Sequence, residues 1–127
     1  MAPPEWHIRF ALEMLNLAEK ALAAGNYATV ASAVLKAFEE IIDAYAAKQG
    51  LHFHDQYQNE GSEKRIDWIK QNNAEIFQEW NILLSEHCEV GLGEDGSKAN
   101  KMVDLLRDSL QKMQSNKEMQ TFFDTLD

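Results

Sequence analysis

The strongest constraint on how this chain can fold is a helical stripe that starts immediately after a break. Tyr27, Val30, Ala31, Val34, Phe38, Ile41 and Tyr45 recur at steps of three and four, which places them on one face of an α-helix. Gly25-Asn26 interrupts an equally strong helical pattern just upstream. Two long helices must therefore fold back on each other, with Gly25 as the left-handed end of the first and Asn26 as the cap of the second.

The first helix is expected from about Pro4 or Glu5 to Ala24, with prolines at its mouth, where a missing N–H is tolerated best. It carries two apolar stripes, Ile8, Leu12, Leu15 and Leu22 beside Phe10, Met14, Leu17 and Ala21, so it should pack on more than one side. The second helix runs from Tyr27 to about Gln49 and stops at Gly50; its many alanines allow a neighbour to approach closely. Leu51 to Gly61 reads as a loop. Ser62 is the expected cap of a third helix reaching about Val90, with Ile66, Ile69, Asn73, Ile76, Trp80, Leu83 and His87 as its inward seam. Gly91-Leu92-Gly93-Glu94-Asp95-Gly96 is a break. A fourth helix follows from Ser97 to Met113, and a short last one carries Met119, Phe122, Phe123 and Leu126. No segment sustains strand alternation. The expected fold is all-α, an up-and-down bundle of four long helices plus a short C-terminal helix, in a single domain over residues 1–127.

Composition narrows the function classes. With 45% apolar residues and three tryptophans the chain can build a core. Twelve Lys and Arg stand against 21 Asp and Glu, a net charge of −9, which disfavours a phosphate-binding surface for nucleic acid. The opening Met-Ala-Pro-Pro-Glu has neither the basic start nor the apolar core of a signal peptide, and no run approaches the roughly 18 apolar residues of a membrane span. Cys88 is the sole cysteine, which excludes an internal disulfide and suits a reducing cytoplasm.

Several groups invite chemistry. His52, His54 and Asp55 are the candidate metal ligands: in an extended segment the two imidazoles share a face, and with a carboxylate they suit zinc or another transition metal. Such a site needs a further donor, which Glu86 or His87 would supply; the simpler reading is a polar interhelical loop. Glu39, Glu40 and Asp43 make an acidic cluster resembling half of the magnesium site of all-α nucleotide pyrophosphatases. The second acidic pair is missing, because Glu13 and Glu19 lie on different faces of the first helix, so a solvated helix face is the preferred reading. His87 and Cys88 are consecutive and point about 100° apart, which excludes a nucleophile–base pair. The glycine-rich break lacks a lysine and carries two acids, so it is a turn and not a phosphate loop. Lys98, Lys101, Lys112 and Lys117 make the C-terminal third slightly more basic.

One resemblance rests on particular residues. A first helix ending in Ala-Leu-Ala-Ala-Gly-Asn-Tyr, followed by Ala28-Thr-Val-Ala-Ser-Ala-Val-Leu-Lys-Ala-Phe-Glu-Glu40, resembles the start of HEPN-type bundles and their PaREP1-like branch. The long third helix and the helix from Ala99 to Met113 also match that order, over roughly residues 5 to 113. The resemblance implies a bundle that is commonly dimeric through its first helices. Members act as ribonucleases in toxin–antitoxin or defence systems, or as nucleotidyltransferase partners. The ribonuclease members carry an arginine followed four to six residues later by a histidine, and Arg9, Arg65 and Arg107 all lack that histidine. The implied protein is thus a non-catalytic, cytoplasmic homodimer without a cofactor, with Trp6, Phe10, Leu17 and Ala21 as its shared surface. The alternative is a small hydrolase or ligand-binding protein with a divalent metal at His52, His54 and Asp55. His7 and Arg9 are the one close His/Arg pair, and on a helix they diverge by about 200°.

Overall fold

The computed structural model describes residues 2–53, 58–91 and 96–126, with side chains described outside 58–62 and 87–91. These residues form six helices and no strand, so the fold is all-α. In chain order they are α1 (Pro4–Ala23), α2 (Tyr27–Lys48), α3 (Gln58–Asn72), α4 (Ala74–Gly91), α5 (Gly96–Ser115) and α6 (Gln120–Asp124). Among the described residues no helix is long and apolar enough to cross a membrane.

The hairpin of α1 and α2 is closed by local chemistry. Gly25 adopts φ +74°. Its N–H donates to the Leu22 carbonyl at 3.1 Å, and that of Asn26 donates to Ala21 at 2.9 Å, satisfying carbonyls that the helix end leaves open. The Asn26 side chain then accepts from the Thr29 N–H at 3.3 Å and starts α2. The same two-bond ending recurs at Gly50, φ +78°, where Gly50 and Leu51 donate to Ala47 and Ala46.

Helix α2 lies at the centre and touches α1, α3, α4 and α5. Five consecutive residues, Glu40, Ile41, Ile42, Asp43 and Ala44, are buried. Steps of 100° carry five residues round more than a full turn, so α2 is enclosed on every side at this level. Its apolar residues Val30, Val34, Phe38, Ile41 and Ile42 meet a core of Ile8, Ile69, Ile76, Leu83, Met102, Leu106 and Met113. Phe38 and Trp80 bring their rings to 6.2 Å. On α1 the buried line is His7, Ile8, Ala11, Ala18 and Ala21, and neither expected stripe is wholly internal. Leu12 and Leu17 remain exposed.

The expected third helix is two helices. Ser62 does not cap it, since α3 already begins at Gln58, and the run breaks at Asn73. The backbone ladder survives on both sides of the break: the Asn73 N–H donates to Ile69 at 2.8 Å, and its carbonyl accepts from Phe77 at 3.0 Å. Its side-chain oxygen accepts from the Ile76 N–H at 3.2 Å, the bond of an N-cap. An asparagine side chain that competes for backbone donors divides the run into two helices at this point. Burial, followed by the charges of Glu75 and Glu79, pushes the Tyr45 phenol up to about 12, against the opposing influence of Asn73. Asn73→Ala is expected to lower stability by about 1–2 kcal/mol, whereas Asn73→Ser, which keeps a capping oxygen, recovers most of it. Thermal melts followed by circular dichroism give the comparison.

Candidate functional site

The enclosure of α2 decides the fate of its acids. Glu40 and Asp43 are 2% and 1% exposed, so they do not lie on a solvated face; that expectation fails for both. It fails because α2 has neighbours on every side at this level, which its own periodicity does not reveal. Glu39, half-buried, lies 3.7 Å from the Lys36 ammonium.

Two buried carboxylates need compensating charge and donors. Helix α1 supplies His7, fully buried, whose Nδ1–H donates to Glu40 Oε2 at 2.6 Å. Lys36, one turn before Glu40 on α2, places Nζ 3.2 Å from the other carboxylate oxygen. Helix α3 supplies Arg65, whose Nε and Nη2 donate to the two Asp43 oxygens at 2.8 and 3.0 Å. This two-pronged pairing is the strongest geometry available to a guanidinium and a carboxylate. Burial pushes the Glu40 carboxyl up, but the His7 bond and the charges of His7 and Lys36 outweigh it and hold it below its usual range. Burial likewise pulls Arg65 down, and Asp43, aided by Glu39 and Glu40, holds its guanidinium above the ordinary value. The two carboxylates are thus answered by a guanidinium, an ammonium and an imidazole.

The place of the missing second acidic pair is taken by an imidazole and a guanidinium. His7 begins the buried line that continues through Ala11 and Ala18, and Arg65 stands four residues before the buried Ile69. Both therefore occupied inward positions in the sequence pattern. His7 faces the interior while Arg9 is exposed, as their spacing requires.

Of the sequence-derived metal ligands only His52 lies within the described residues. His52 is half-buried just before Phe53, whose ring packs 6.2 Å from Trp68. His54 and Asp55 lie outside the described residues, as do the side chains of His87 and Cys88. Glu86 accepts from Lys101 of α5 at 3.0 Å. Of the proposed shared surface, Trp6 is 49% and Leu17 43% exposed, and Phe10 stacks on Trp6 at 5.7 Å. Ala21 is buried and belongs to the core, a correction to its expected role.

A second charged cluster joins α4 to α5. Lys112 Nζ lies 3.0 Å from Asp108, 3.3 Å from Glu79 and 3.8 Å from Glu75. Burial, then the Asp108 hydrogen bond, pushes the Glu79 carboxyl up despite Ser109 and Lys112. Lys112, Asp108 and Glu75 are exposed, so this cluster is a screened surface feature by comparison with the first. No family model, curated protein or solved structure matches this chain.

Two outcomes follow from the network. Arg65→Met should destabilise by about 3–5 kcal/mol by leaving Asp43 buried and uncompensated, while Arg65→Met with Asp43→Leu recovers most of that; urea titration measures both. A carboxyl held below its unfolded value contributes stability that is present above that value and lost as pH falls through the folded one. For Glu40 that loss begins below its ordinary 4.5. Glu40→Gln should therefore be less stable than the parent at neutral pH and show a flatter acid limb in melts between neutral and acid pH.

Proposed function

We propose that this chain is a non-catalytic, HEPN-like helical interaction module that works as a cytoplasmic homodimer. Its proposed setting is that of a partner in a toxin–antitoxin, defence or nucleotidyltransferase-associated system. The observation that carries the reading is the outer face of the α1–α2 hairpin. Trp6 and Leu17 stand out from it, and at the Leu17 end lies a shallow groove of about 310 Å³ lined by Met14, Leu17, Ala28, Thr29, Ser32 and Ala33. Projecting apolar side chains next to a floor of small residues suit a two-fold contact, in which each copy offers both knob and hole. Trp is also the residue type most enriched where interfaces derive their affinity.

The inward-facing chemistry supports the same reading. His7, Glu40, Asp43 and Arg65 are all turned into the protein and engaged with one another, an arrangement that holds helices together and offers nothing to a substrate outside. Light scattering should give twice the chain mass at tens of micromolar protein, with an interface of roughly 1,600 Å² in total. Trp6→Asp with Leu17→Asp should yield a monomer of unchanged helicity. A parent protein that is itself monomeric at that concentration would remove the proposal.

A further inference from the structure

We propose that His7, Glu40 and Asp43 form a divalent-metal site that Arg65 keeps closed. One ring nitrogen and one oxygen from each carboxylate all lie within 4.8 Å of one another, close enough to share an ion. An imidazole with two carboxylates is a donor set that suits manganese, iron, cobalt or zinc. The three donors come from α1 and α2, the hairpin closed by the Gly25 ending, so their mutual placement does not depend on α3.

Arg65 does come from α3, and it is the tethered cation of the set. Among the described side chains of α3 only Arg65 and Ile69 are fully buried, with Ile66 half-buried on the core and Trp68 half-buried against Phe53. That helix is consequently the most easily withdrawn of the elements packed on α2. While it is docked, Arg65 occupies both Asp43 oxygens and Lys36 neutralises Glu40. When it lifts, Asp43 loses its counter-charge, and a divalent ion supplies that charge at the point where all three donors meet. Metal binding and α3 docking are then mutually exclusive. This extends the interaction-module reading without requiring it: metal occupancy would set the position of α3, whether or not the chain dimerises.

Cobalt(II) is the probe, followed by its visible absorption bands and by calorimetry on the full chain. The parent protein should bind weakly and saturably in the millimolar range, and His7→Gln should abolish this, because its amide keeps a donor to Glu40 but is a poor ligand. Arg65→Gln should bind about ten-fold more tightly or better, whereas Arg65→Lys, which keeps the charge, should not gain. Circular dichroism on each variant reports folding. Should Arg65→Gln not fold alone, added cobalt is expected to restore its helicity, and the parent titration still decides the existence of the site. No saturable binding by the parent, or binding that survives His7→Gln, overturns the site. Equal affinity in the parent and a folded Arg65→Gln, or no rescue of an unfolded one, overturns the closure by Arg65. Dimer mass measured in parallel keeps failure of either idea separate from failure of the oligomeric reading.

Discussion

The whole arrangement depends on α2 being surrounded where it carries two acids. A helix with one free side would let Glu40 and Asp43 reach water, and nothing else in the protein would need to answer them. Once enclosed, each carboxylate must find donors and opposite charge from whichever helix lies nearest. That requirement is met by His7, the fourth residue of α1, and by Arg65 on α3, and it ties three helices to one level of the bundle. Apolar packing brings the helices together, and the buried pairs join α1 and α3 to α2 at this level.

The bundle has two unequal parts as a result. The α1–α2 hairpin is held by the Gly25 ending, by small residues that allow close approach, and by the His7–Glu40 bond. Around it, α4 and α5 add large apolar side chains such as Leu83, Met102 and Leu106. Among its described side chains, helix α3 is attached by the buried Ile69, the half-buried Ile66 and Trp68, and one ion pair. A polar attachment point is directional and reversible in a way that a broad apolar face is not, because its strength changes with the charge state and position of a single partner.

Much of this architecture was legible from residue spacing. The turn at Gly25-Asn26, the end at Gly50 and the inward line through Ile69, Ile76, Trp80 and Leu83 all follow from local rules, and local rules govern them. Asn73 was visible as a polar residue in that line. Whether it would sit as a seam amide or cap a new helix depended on competition between its side chain and the ladder, which spacing alone does not decide. The acids of α2 were misjudged for a different reason. Periodicity describes one helix at a time, and the burial of Glu40 and Asp43 follows from how many helices surround α2. The clue lay elsewhere, in His7 sharing a face with Ala11 and Ala18, and Arg65 with Ile69.

The alanines of α1 carry a further meaning. His7, Ala11 and Ala18 are spaced so as to return to one face, and all three are fully buried. The thickness of those two methyl groups therefore acts as a spacer for the gap across which His7 meets Glu40 at 2.6 Å. A larger side chain at Ala11 or Ala18 would wedge α1 away from its neighbours and stretch a charged contact one to three turns distant, without altering any charged residue. Divergence among proteins of this kind would then be coordinated, with an enlarged alanine accompanied by a change at the histidine, the glutamate, or both.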